Sequence, residues 1–218
     1  TESGAPVALF DRCPHRGMPL SAGKLMGDRI QCIYHGFEYG TDGRCKLVPT
    51  LDSEPKGIRV HSYPVLERWE WVWIWMGDPD KADPALLPDH EDIGVTAPGF
   101  FAQAGVIIPV AANYLLVLEN LSDATHFPYL HGALPFSGDT LDVQGTRVRK
   151  STYFNDEQYP AAFEVLLGLK FNRINRSLHL TIYPPHMEVT STTIEDLSDP
   201  ERLVYDNRWV MGITPASR

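Results

Sequence analysis

Cys13-Pro14-His15-Arg16-Gly17 and Cys32-Ile33-Tyr34-His35-Gly36 decide how this chain is read. Sixteen residues, 16 to 31, separate His15 from Cys32. Each segment pairs a sulfur donor with an imidazole at the end of a short strand-like run. Pro6 to Phe10 leads into the first, and Ile30 to His35 forms the second. Gly17, Pro19, Gly23 and Gly27 punctuate the first loop. Two loops at strand ends can bring their side chains to one place, so the four donors are candidates for one metal centre.

The surrounding sequence is that of a folded protein. The chain has 218 residues, with 43% hydrophobic and 22% charged. These values exclude a disordered, collagenous or low-complexity chain. Its formal net charge of −9 disfavours nucleic acid, because an acidic surface repels phosphate. No apolar run approaches the ~18 residues that span a bilayer, so no membrane partner is expected. The first residues lack a basic-then-apolar leader pattern, and three cysteines are a poor disulfide framework. A reducing, cytoplasmic location is the matching expectation. Cys45 stands outside both motifs and is expected to be a small buried thiol.

Farther along, Gly40-Thr41-Asp42-Gly43 signals a hairpin. Residues 69 to 77 alternate, placing Trp69, Trp71, Trp73 and Trp75 on one face of a strand covered on both sides. A Pro/Asp-rich stretch, 79 to 98, reads as a linker between domains 1 to 78 and 99 to 218. In the second domain 105 to 110 reads as a strand and 113 to 126 as a helix. Further strands are expected at 146 to 154, 163 to 171, 177 to 183, 188 to 194 and 203 to 213. The fold class is therefore α+β, mainly antiparallel β.

Two metals suit two Cys and two His. Zinc takes all four on one ion. A Rieske [2Fe–2S] cluster puts two Cys on one iron and two His on the other. Zinc fingers usually keep both cysteines in one loop, whereas each loop here supplies one of each donor. The pattern C-x-H-R…C-x2-H-G resembles the Rieske motif of ring-hydroxylating oxygenases. The resemblance implies that Cys13 and Cys32 hold the inner iron and His15 and His35 the outer one.

A second cluster of polar residues lies in Glu119 to His131, where Asn120, Asp123 and His126 recur every three residues. On a helix such neighbours share a face. His126 and His131 are five apart, which a regular helix does not align. Pro128 between them would bend the chain and help bring both rings together. By itself an H-x4-H pair has no assigned role. Together with the upstream motif it resembles the N-x-x-D-x-x-H-x4-H stretch of the same oxygenases. That implies His126 and His131 as ligands of a mononuclear Fe(II). It also implies Asp123 as the bridge from His126 to His35 of an adjacent subunit, and Asn120 as a supporting residue near the iron.

The resemblance covers most of residues 6 to 218, and the stretch Val72 to Pro79 with the Asp-Pro linker looks like the vanillate or dicamba demethylase branch. It implies a Rieske domain followed by a helix-grip-like (START-type) catalytic domain, incomplete at both ends. The carboxylate that would complete the iron site is not identifiable, because Glu195, Asp196, Asp199, Glu201 and Asp206 are expected in turn-like, hydrophilic stretches. The implied activity is that of a terminal oxygenase. NAD(P)H electrons would arrive through a reductase, with or without a ferredoxin, and O2 would demethylate or hydroxylate a small aromatic compound. A homotrimer is implied, and His179 and Met211 are implied pocket residues. The rival expectations are a Rieske ferredoxin that only carries electrons and a zinc-stabilised binding module.

Overall fold

The computed structural model describes residues 1–93, 98–103, 105–130, 138–159, 164–165, 168–199 and 203–215. It divides into two compact units, Thr1–Leu87 and Pro88–Arg218. Every strand pairing among the described residues is antiparallel, and the helices are few and short.

The first unit holds β1 (Ala8–Leu9), β2 (Lys24–Met26), β3 (Arg29–Gln31), β4 (Glu38–Tyr39), β5 (Cys45–Leu47), β6 (Ser62–Tyr63), β7 (Val65–Arg68) and β8 (Trp71–Ile74). Strands β2 to β5 form one sheet in sequence order, β1 pairs with β6, and β7 with β8. The expected hairpin joins β4 to β5. Gly43 is required there: its φ is +75°, and a Cβ would meet the Val60 carbonyl oxygen at 2.2 Å. The core gathers Cys13, Leu20, Cys32, Tyr39, Cys45, Val48 and Val60. Both motif cysteines are thus buried with the third, Cys45.

The tryptophan stripe differs from the sequence expectation. Trp69 and Glu70 have φ of 58° and 63° and form the two-residue turn between β7 and β8. Both central positions of a tight hairpin turn need positive φ, so the turn takes them out of the strand. Trp71 and Trp73 remain on β8, half-buried and stacked at 5.8 Å, while Val72 and Ile74 on its other face are exposed.

The second unit holds α1 (His90–Ile93), α2 (Tyr114–Ser122), α3 (Phe127–Leu130), β9 (Gly138–Gln144), β10 (Arg147–Gln158), β11 (Arg173–Tyr183), β12 (Met187–Asp196) and β13 (Leu203–Gly212). The sheet order is β13-β12-β11-β10-β9. The expectations at 105 to 110 and 163 to 171 fail: neither described stretch is a strand, and Glu164 and Val165 are helical. An apolar run becomes a strand only where a neighbour offers its backbone, and Val106, Ile107 and Ile108 instead lie exposed. The edge strand β9 was not anticipated, because its seven residues are all exposed and show no buried face.

Helix α2 sits on this sheet. Ala124, just beyond its end, packs with Phe154, Leu178 and Leu180, with Phe127 alongside. On the opposite face, Asp92 of α1 accepts from Arg147 Nε at 2.8 Å and Tyr183 Oη at 2.5 Å. A further buried pair is Arg176 with Glu157, beside a bulge where Asp156 has φ 52°.

Candidate metal and redox sites

The two Cys/His loops are built on one plan. Cys13 N–H donates to the Met18 carbonyl at 2.8 Å, and Cys32 N–H to the Phe37 carbonyl at 2.8 Å. Gly17 N–H returns to the Cys13 carbonyl at 2.8 Å, and Gly36 N–H to the Cys32 carbonyl at 3.0 Å. Both glycines have positive φ, 75° and 72°. So each loop is a cysteine followed four residues later by a left-handed glycine, a spacing visible in the sequence as C-P-H-R-G and C-I-Y-H-G.

That plan sorts the donors by depth. Cys13 and Cys32 are both 2% exposed, whereas His15 and His35 are exposed at the loop tips. The two imidazole centroids stand 4.7 Å apart. Phe37 stacks on His15 at 4.9 Å with its plane tilted only 4°. Two sulfurs inside and two nitrogens outside fit a two-iron cluster with chemically distinct irons.

Sequence reasoning missed Tyr39. Its hydroxyl lies 3.2 Å from Cys13 Sγ, and the side chain is fully buried. Burial, reinforced by the Cys13 contact, pushes the phenol well above its ordinary range, so it stays a donor. No local pattern marks it, because its partner lies 26 residues away in sequence. Cys45, also buried, has its thiol pushed up by burial and bonds the Leu47 carbonyl.

In the second unit the polar segment is not a continuous helix. Asn113 caps α2, its side chain accepting from Leu115 N–H, but α2 ends at Ser122. Asp123 is extended and turns its carboxylate onto the following residues. Oδ1 accepts from Thr125 N–H at 2.7 Å and Thr125 Oγ1 at 2.6 Å, and Oδ2 lies 3.3 Å from His126 Nδ1. A short acid competes with the helix for backbone donors and so ends it. The three-residue spacing therefore brings Asp123 and His126 together by a turn, not by a helical face. The two Thr125 donors, then His126, lower the Asp123 carboxyl to about 2. A carboxylate can only accept, so His126 Nδ1 is the donor in this bond.

Pro128 sits in the first turn of α3, where a missing N–H costs nothing. Asn120 is exposed and gives its carbonyl to Asp123 N–H. His131 lies outside the described residues. Strand register parts the other two candidates. His179 aligns with Ser151 and Ser191, and Ser191 with Arg208, whereas Met211 aligns with Glu188. Arg208 and Met211 are three apart on β13, so His179 and Met211 face opposite sides of the sheet. Met211 shares the side of Leu178 and Leu180, on which Ala124 packs. His179 bonds Ser151 Oγ at 2.7 Å, and burial, then Arg149, lowers its pKa.

Comparison with known proteins follows the same division. Residues 1–64 match the Rieske [2Fe-2S] domain, and residues 110–218 match the vanillate O-demethylase oxygenase C-terminal domain. The oxygenase component of dicamba O-demethylase from Stenotrophomonas maltophilia is 40% identical over 131 residues, covering 60% of this chain and 38% of that protein. A vanillate O-demethylase oxygenase subunit from a Pseudomonas species is 33% identical over 171 residues, 75% of this chain and 47% of that protein. A crystal structure of dicamba monooxygenase bound to dicamba superposes with a TM-score of 0.77 at 27% identity, covering 93% of this chain and 60% of that one. The chain thus spans less than half the length of these two curated relatives. No helix among the described residues is long and apolar enough to cross a membrane.

Proposed function

This chain belongs to the Rieske oxygenases with a vanillate O-demethylase-type C-terminal domain, and from that premise we propose that it works as the terminal oxygenase component of a multicomponent system. The reaction is demethylation or hydroxylation of a small aromatic compound with O2. The observation that carries this reading is the pair of matched loops, with Cys13 and Cys32 buried and His15 and His35 exposed at their tips.

In this reading Cys13 and Cys32 hold one cluster iron, His15 and His35 the other, and His126 with His131 a mononuclear Fe(II). When bound, the cluster relays single electrons and the iron activates O2. The chain's own residues provide the setting. The buried cysteines exclude water from the sulfur side, while the exposed imidazoles present the cluster to a partner. Asp123 fixes the His126 proton on Nδ1 and bridges to the partner subunit's His35 in a homotrimer, with Asn120 as neighbour. Residues 1 to 78 form the Rieske domain, 79 to 98 the linker and 99 to 218 the catalytic domain. Met211 lines the pocket on the face where Ala124 packs, and His179 supports the other face through Ser151. NAD(P)H electrons enter through a reductase, directly or by way of a ferredoxin, in the bacterial cytoplasm.

The test is turnover of a methoxybenzoate panel with reductase and NADH. Formaldehyde release matched to NADH loss is expected, with about three irons per chain. Two irons per chain and no oxygen uptake with any aromatic substrate would reduce the protein to an electron carrier.

A further inference from the structure

Asp123 has a limited number of places for donors, and the structure shows how they are used. A carboxylate offers about four lone-pair positions, two on each oxygen. Thr125 occupies both on Oδ1, its N–H at 2.7 Å and its hydroxyl at 2.6 Å. Oδ2 takes His126 Nδ1 at 3.3 Å. Among the described residues Asp123 therefore keeps one position, on the same oxygen that holds His126. The carboxylate is still 42% exposed, and the His126 side chain 18%, so the remaining position faces outward.

We propose that Thr125 is a positioning residue for the iron site. Its two donors saturate Asp123 Oδ1 and turn Oδ2 toward His126, leaving one outward-facing acceptor beside that imidazole. The proposal rests on the reading that His126 is an iron ligand, and it goes beyond that reading by assigning a task to an exposed threonine. The hydroxyl is what matters. A backbone N–H is present at this position whatever the side chain, and it alone leaves Oδ1 able to accept a competing donor. The carboxylate can then rotate, and His126 loses the bond that fixes its tautomer. A second imidazole approaching Asp123 would also find two competing oxygens instead of one.

The purified holoprotein tests this with Thr125→Val, which keeps the shape and removes the donor, and Thr125→Ser, which restores it. The readout is the rate at which mononuclear iron is lost to a chelator, with the cluster absorbance as an internal control of folding. Outer partners of metal-bound imidazoles change metal affinity by roughly 10–100-fold. Thr125→Val is expected to lose iron about tenfold faster, at the low end of that range, with the cluster unchanged and Thr125→Ser close to the parent. Iron loss from Thr125→Val at the parent rate overturns the proposal, as does a Thr125→Ser variant as leaky as Thr125→Val. Should Thr125→Val not fold, Thr125→Ala carries the same comparison. Unfolding of both also overturns it, since the hydroxyl is given a local task only. His126→Ala separates the two levels. If it keeps its full iron complement, the ligand reading fails. If it loses iron while Thr125→Val does not, only the role of Thr125 fails.

Discussion

Replacing Tyr39 by Phe should make the cluster harder to reduce. The phenol oxygen is 3.2 Å from Cys13 Sγ, and both side chains are buried, at 0% and 2% exposure. Water cannot replace a donor lost at that depth. A hydrogen bond to a charged group contributes about 1.5–3 kcal/mol. The bond exists in both redox states, so only its strengthening on reduction bears on the potential. If a third to a half of its energy depends on the added electron, the difference is about 0.5–1.5 kcal/mol. At 59 mV per tenfold for one electron, this is a fall of roughly 20–65 mV. Phe keeps the ring that packs among Cys13, Cys32 and Cys45, so cluster content and melting temperature should hold. A potentiometric titration followed by the EPR of the reduced cluster reads the shift. An unchanged or raised potential in a variant with full cluster content would refute the reasoning, because the hydroxyl would then not favour the reduced state.

Two further outcomes concern the second unit. Arg176 and Glu157 form a bidentate buried pair at 2.7 and 3.2 Å, with side chains 7% and 4% exposed. Glu157→Ala should cost about 3–5 kcal/mol in urea unfolding, because it removes the carboxylate paired with a buried guanidinium, whereas Glu157→Leu with Arg176→Met should cost far less. Glu188 is fully buried, has one carboxyl oxygen without a partner, and is raised by burial from 4.5 to about 7. A carboxyl raised on folding favours the protonated native state. Its contribution is present below pH ~4.5 and is lost as the pH rises through about 7, up to ~3 kcal/mol. Glu188→Gln should remove that loss, and parallel stability profiles for parent and variant between pH 4.5 and 7 would exclude it.

The first site was legible because its geometry is local. A cysteine, an imidazole and a glycine within five residues define each loop, and the loop's own backbone bonds fix which donors go inside. Tyr39 was not legible, because its value depends on a sulfur 26 residues away in sequence. The long strands β10 to β13 could be read approximately from their alternation. Strand β9 could not, since it lies at an exposed edge and has no alternation to show. The Trp stripe misled for the opposite reason. Its period of two continues through Trp69, but a tight turn overrides a side-chain pattern whenever the backbone must reverse.

The second site shows the two levels of reading diverging over one residue. As local structure, the three-residue spacing predicts a helix running through Asp123 to His126. As chemistry, the motif implies that Asp123 holds that imidazole. The carboxylate can hold the ring in this arrangement because the helix stops. Asp123 is extended, with φ −89° and ψ 106°, and this swings its side chain over the next three residues. There it meets Thr125 and His126 within 3.3 Å. On a continuous helix Thr125 would lie two residues on and face away, so its hydroxyl could not share the carboxylate with His126. The broken helix is therefore not a defect in a recognised motif. It is the local geometry that lets one carboxylate collect three donors, and it is why the residue between the acid and the histidine bears on the metal site at all.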